Sequence, residues 1–293
     1  MFDIAINTDF LRGTLSPEPY LRAIAEAGFT HLHWCHHWCT DFLYSRSEIA
    51  QYKKWLNELG LKLLDIHGSA GGEKCWFSEE EYCRKAGVEL VVNRLEMMAE
   101  LGATGSLMMH APRIKTSFTP EQRAEKMRQH KAVYRSLDEL IPLLEKYDLR
   151  IALENLDDTF ILLKEAMRDY KTDRIGITYD SGHGNFFGAN GLDHLEEIKD
   201  RLQALHLNDN NGSGDQHQPP FYGTVDWDRL VKILRASSYP ATGRPLSFEV
   251  AMRNTPFFDV TREADQEPAN IRAFLRDAHE RMEKVTAAYL KQD

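Results

Sequence analysis

Short runs rich in Ile, Leu and Val alternate eight times with longer stretches of helical periodicity, and this alternation restricts the fold more than any other feature. The expected strands cover residues 2–7, 30–34, 61–67, 106–110, 150–154, 175–180, 203–207 and 245–250. Helix signals fill the gaps. Ser16 reads as the cap of a helix reaching Ala27, with Pro17 in its first turn and Gly28 behind it. Ser45 or Ser47 caps the next helix, which stops at Gly60. Ser78 opens a long helical region ending at Gly102, and Thr119 with Pro120 opens another that runs toward Tyr147. Pro142 is expected to kink or divide that helix. The last helix lines up Ile271, Phe274, Leu275, Ala278, Met282 and Val285 on one face, the stripe of a helix docked on a core. Strands alternating with helices, without a shift in composition, argue for one parallel α/β domain over residues 1–293. A closed barrel and an open doubly wound sheet both satisfy that pattern. The strand count favours the barrel, as does the lack of a GxGxxG fingerprint after the first strand. The expected fold is a single (β/α)8 TIM barrel.

The ends of the expected strands carry unusual residues. The third strand ends at His67, the fourth at His110, the fifth at Glu154, the sixth at Asp180, the seventh at His206 and the eighth at Glu249. In a parallel barrel these ends converge on one face, where barrel enzymes build their active sites. An interior position there normally takes Val, Ile or Leu. A buried carboxylate costs several kcal/mol unless it is paired or bound to metal. Three carboxylates aimed at one another repel, and a dication removes the conflict.

Charge and cysteine content narrow the function classes. With 36 Lys and Arg against 45 Asp and Glu, the net charge is −9, which disfavours a general nucleic-acid or anionic-membrane surface. The first ten residues lack a basic start and an apolar run, and no stretch approaches the ~18 apolar residues of a membrane span. The expected location is the cytoplasm. Cys35, Cys39, Cys75 and Cys83 do not make a secreted disulfide framework. The segment CHHWC, from Cys35 to Cys39, lacks zinc-finger spacing and a second half, and reads as packing or pocket lining.

Four motifs sharpen the reading: ALEN at 152–155, YDSGH at 179–183, LHLND at 205–209 and SFEV at 247–250. In this order the chain resembles the xylose isomerase-like barrel superfamily, which contains ketose 3-epimerases, hydroxypyruvate isomerase-like and inosose dehydratase-like enzymes, and endonuclease IV. The resemblance runs from the third strand to the eighth. It implies that Glu154, Asp180, His206 and Glu249 hold one divalent metal ion, with Mn, Co, Mg and Zn all compatible with the ligand set. It also implies that His183 contacts the substrate near its carbonyl. The segment 214–227 matches a superfamily loop and supplies Asp215 and His217.

These features support a sugar isomerase or epimerase. Proton abstraction next to a carbonyl would proceed through a metal-stabilised enediolate, with Glu154 and Glu249 as the acid/base pair. His67, His110, His183, Asp215 and His217 would line the substrate site, and Trp34 and Trp38 would offer flat faces to sugar C–H surfaces. Dehydration of a keto-polyol such as an inosose would use the same proton abstraction. A second alternative is a multi-zinc phosphodiesterase acting on abasic DNA. The nine ligand positions of endonuclease IV have counterparts here in His67, His110, Glu154, Asp180, His183, His206, Asp215, His217 and Glu249. That reading needs basic loops that grip a duplex, and only Arg46, Arg113 and Lys115 stand near the mouth. The loop NDNNGSGDQ has glycines that suit a phosphate, but Asp209 and Asp215 would repel one, so an unphosphorylated sugar or polyol is expected. The expected partner is this small molecule, without nucleic acid or membrane. Outer barrel helices also offer faces for a homo-oligomer.

Overall fold

The computed structural model describes residues 2–11, 16–69, 71–156, 160–186, 190–263 and 265–291. Each expected strand forms: β1 (Ile4–Asn7), β2 (His31–Trp34), β3 (Lys62–His67), β4 (Leu107–Met109), β5 (Ile151–Glu154), β6 (Ile175–Asp180), β7 (Leu202–His206) and β8 (Leu246–Phe248). Apart from Lys62 and Gln203 their residues are buried, because both faces of a parallel sheet are covered. Neighbours run parallel in the order β7-β6-β5-β4-β3-β2-β1-β8. The ring closes between β7 and β8 through one parallel bridge, Leu207 with Phe248. Two backbone hydrogen bonds secure it, Leu207 N to Ser247 O at 3.0 Å and Glu249 N to Leu207 O at 3.1 Å. The result is a single (β/α)8 barrel.

Between the strands lie α1 (Glu18–Glu26), α2 (Arg46–Leu59), α3 (Glu81–Leu101), α4 (Pro120–Tyr147), α5 (Ile161–Asp169), α6 (Ser181–Phe186), α7 (Gly191–Ile198), α8 (Trp227–Arg235) and α9 (Pro268–Leu290). Ser45 caps α2 and Thr119 caps α4, each in a reciprocal capping box, with Glu48 and Gln122 respectively. Gly60 and Gly102 end α2 and α3 in the left-handed conformation. Two helix starts shift. The third helix, α3, begins at Glu81 rather than at Ser78. Pro17, not Ser16, occupies the N-cap position of α1. Of the two outcomes expected at Pro142, division does not occur: α4 runs through the proline as one helix, with Val133, Leu137, Leu140 and Leu144 buried on both sides of it. Among the described residues, no helix is long and apolar enough to cross a membrane.

Candidate active site

The C-terminal ends of β5 to β8 carry the candidate ligands toward a common centre. Asp180 pairs with His206 across β6 and β7, and Glu154 pairs with Thr178 across β5 and β6. Glu249 follows directly after β8. One donor atom from each of Glu154, Asp180, His206 and Glu249 lies within 4.8 Å of all the others, and all four residues are buried. His206 sits at the centre. Its Nδ1 is 2.5 Å from Glu154 Oε1 and 3.0 Å from Glu249 Oε2. The second Glu154 oxygen meets His110 Nε2 at 2.9 Å.

Asp180 is held differently. Its Oδ1 accepts the His183 backbone N–H at 2.7 Å, and its Oδ2 accepts Asn208 Nδ2 at 2.9 Å. Asn155 clamps the Asp180 backbone, donating to its carbonyl at 2.9 Å and accepting its N–H at 2.7 Å. The glycine of YDSGH is required by this packing, since a Cβ on Gly182 would stand 2.0 Å from Asn208 Oδ1. Asn155 and Asn208 were missed as site residues, although each lies in one of the four motifs.

The electrostatics follow from this crowding. Burial alone would raise the Glu154 and Glu249 carboxyls, but the His206 charge and the surrounding imidazoles hold both well below the usual range. Burial opposes charge on His206, yet Glu249 and Glu154 outweigh it and hold the imidazole protonated well above its ordinary range. Asp180 is the loser. Burial, reinforced by Glu154 and Glu249, lifts it to about 6 against the opposing pull of His183 and His217. A single imidazole nitrogen facing two carboxylates, with a third carboxylate beside them, is a donor set that fits a divalent cation.

Above the cluster opens a cavity of about 690 Å³ whose lining includes Trp38, His67, His110, Glu154, His183, Asp215, His217 and Glu249. His183 Nε2 approaches Asp215 Oδ2 at 3.4 Å, and His217 Nε2 approaches Asp215 Oδ1 at 2.9 Å. The Trp38 indole stands 4.3 Å from the His67 ring and 5.6 Å from the His110 ring, and its Nε1 donates to Asp9. Trp34 is not brought to this cavity. It is fully buried on the outer face of β2, where it donates to the Tyr44 hydroxyl at 3.1 Å and packs on Tyr52. A strand alternates faces at every residue, so His33 points inward and Trp34 outward. Asp209 also differs from expectation. It is wholly buried and organises the loop behind the site, accepting the N–H groups of Asn210, Phe221 and Val225 and the Trp227 indole. A larger cleft, about 1200 Å³, lies at the opposite, N-terminal end of the strands, lined by Lys62, Arg150 and Arg244 among others. Barrel chemistry is built at the other end, where the carboxylates are.

A family model described as xylose isomerase-like TIM barrel matches residues 21–278. The chain belongs to that family. An uncharacterized protein of Sinorhizobium fredii, y4fM, is 29% identical over 255 residues, covering 79% of this chain and 80% of the relative. The barrel is similar to a D-psicose 3-epimerase solved in the presence of D-fructose, with 17% identity, a TM-score of 0.74, and coverage of 97% of this chain and 99% of that one. It is also similar to the IolI protein solved with a zinc atom, with 15% identity, a TM-score of 0.64, and coverage of 99% and 100%.

Proposed function

We propose that this chain is a divalent-metal-dependent sugar isomerase or epimerase that moves a proton at the carbon beside a substrate carbonyl. One observation carries the reading: Glu154 and Glu249, from strands three places apart around the ring, meet at one imidazole nitrogen on the floor of the cavity. The D-psicose 3-epimerase with D-fructose and the zinc-bearing IolI barrel lend support from the same fold.

Glu154, Asp180, His206 and Glu249 would hold the cation, which when bound draws electron density from a sugar carbonyl and its neighbouring hydroxyl. One of the two glutamates takes the proton from the carbon, and the other delivers a proton to the opposite face, giving epimerisation; return to the adjacent carbon gives isomerisation. His110 holds Glu154 by a hydrogen bond and fixes the orientation of that carboxylate. His183, steered by Asp215, presents its imidazole toward the cavity to steady the oxygen that gains charge. Trp38, flanked by His67, supplies the apolar wall on which a sugar ring lies.

The group formed by Asp180, His183 and His217 is the observation that favours a multi-metal phosphodiesterase instead. In this structure both imidazoles turn to Asp215, His183 at 3.4 Å and His217 at 2.9 Å. The deciding experiment is a metal-supplemented screen of ketoses, aldoses and inososes in D2O, read by product chromatography and mass spectrometry. Abasic-site DNA serves as the control. A sugar product carrying solvent deuterium at the carbon beside the carbonyl is expected. Cleavage of the DNA with every sugar left unchanged would overturn the proposal.

A further inference from the structure

We infer that His33, Cys35 and Glu249 form a second, thiolate-containing cation site just inside the barrel, with the Glu249 carboxylate shared between it and the first. A ring nitrogen of His33, the Cys35 sulfur and a Glu249 oxygen lie within 4.8 Å of one another, and all three residues are buried.

The His33 ring is prepared for ligation. Its Nδ1 is 2.8 Å from Asp65 Oδ1, so in the neutral ring the tautomer with Nδ1–H donates to the carboxylate. That leaves Nε2 as the bare acceptor, and it has no hydrogen-bond partner among the described residues, although the side chain is completely buried. A buried acceptor left without a donor is costly, and a cation at that nitrogen removes the cost. A carboxylate that orients an imidazole from behind is the usual outer support of a histidine ligand.

The other two donors are fixed as well. Cys35 is anchored by its backbone N–H, which donates to Thr8 Oγ1 at 2.9 Å, and its sulfur is 3.9 Å from Glu249 Oε1. The opposite oxygen of Glu249, Oε2, faces His206 Nδ1 at 3.0 Å. One carboxylate therefore directs one oxygen to each cluster, the arrangement of a bridging ligand. Burial, with Asp9 and Glu249 beside the sulfur, holds the Cys35 thiol well above its ordinary range, so ligation has to release the thiol proton.

Sulfur, imidazole and carboxylate donors select zinc or cobalt over magnesium or manganese. The oxygen-rich first cluster does not make that selection, so the two sites would differ in metal preference. The shared Glu249 is the only residue on which this inference meets the proposed chemistry.

The test is a Co(II) titration of chelator-stripped, reduced, full-length protein. Two equivalents should bind, and a sulfur-to-cobalt charge-transfer absorption should appear in the near ultraviolet. Cys35→Ser should lose that absorption and one equivalent, with the circular dichroism spectrum retained. His33→Gln should behave likewise, so that a folding failure of one variant does not stop the test. Asp180→Asn should keep the absorption and lose the other equivalent. Binding of one equivalent without charge transfer in the wild type would overturn the second site and leave the first in place. Persistence of the absorption in folded Cys35→Ser would also overturn it, by assigning the thiolate to Cys39, Cys75 or Cys83. Charge transfer with one equivalent would uphold the second site and remove the first.

Discussion

Replacing Asp180 with asparagine tests whether three buried carboxylates are assembled for a cation. In metal-free protein, burial and then Glu154 and Glu249 raise the Asp180 carboxyl from 3.8 to about 6, despite His183 and His217. At pH 7 the group is ionised, and the gap corresponds to about 3 kcal/mol of native-state penalty. The folded-state value lies above the unfolded one. Stability from this group is therefore fully present below about pH 4 and is lost as the pH rises toward 6. Asparagine keeps the shape and removes the charge. Its oxygen can still accept the His183 N–H. Its new NH2 would face Asn208 Nδ2, but Asn208 Oδ1 has no partner among the described residues, so a turn of that amide restores a donor–acceptor pair.

The expected net effect in chelator at pH 7 is a gain of about 1–3 kcal/mol for Asp180→Asn, once imperfect hydrogen bonding is set against the removed charge. With excess Mn(II) the order should reverse. A metal at a hundredfold excess over its Kd adds about 2.7 kcal/mol to the wild type, and the variant lacks a ligand for it. Urea denaturation with EDTA and with Mn(II) measures both numbers. In EDTA, the difference between variant and wild type should move in the variant's favour by about 3 kcal/mol between pH 4 and pH 7. A variant less stable than the wild type in EDTA at pH 7, or an equal metal-induced gain in both proteins, would refute the reasoning.

Three further outcomes are expected. Glu154→Gln and Glu249→Gln should each lower kcat by about 10²–10⁴-fold with circular dichroism unchanged, and normal turnover in either would rule out the two-carboxylate scheme. Incubation with EDTA should abolish activity, and Mn, Co or Mg should restore it; full activity after verified metal removal would end the metal role. Trp38→Ala should raise KM with little change in Tm, whereas Trp34→Ala, which empties a fully buried site, should cost about 3–5 kcal/mol of stability. The reverse assignment in calorimetry and kinetics would show that the two indoles had been placed on the wrong faces.

Much of the fold was legible because a parallel barrel repeats one unit eight times, and each unit leaves a strand-length apolar run followed by a capped helix. Ser45, one of the two serines offered as a cap, and Thr119 illustrate the strength of cap signals, since both cap their helices and do so in reciprocal boxes. Boundaries were weaker where chemistry rather than pattern decides them. Ser78 reads as a helix start, yet α3 begins at Glu81, because the Ser78 hydroxyl accepts the Glu80 N–H in a turn ahead of the helix. Asp209 was read as a loop acid because LHLND continues directly into a glycine-rich segment. Only the folded chain brings Phe221, Val225 and Trp227 back to its carboxylate.

The site was legible at the ends of strands and illegible one layer below them. His67, His110, Glu154, Asp180, His206 and Glu249 stand out as the last residues of their runs, whereas His33 and Asp65 lie inside theirs. Both were open to the same argument extended by one step. Strand side chains return to the same face every second residue, so an inward Cys35 entails an inward His33, and an inward His67 entails an inward Asp65. Adjacent strands then bring those two inner residues together, and the structure joins them at 2.8 Å. The same alternation turns Trp34 outward, against the expectation that it walls the pocket. The residue two positions before a strand-end ligand therefore shares its inward face, and a charged side chain there, such as Asp65, accepts burial by supporting an imidazole on the neighbouring strand.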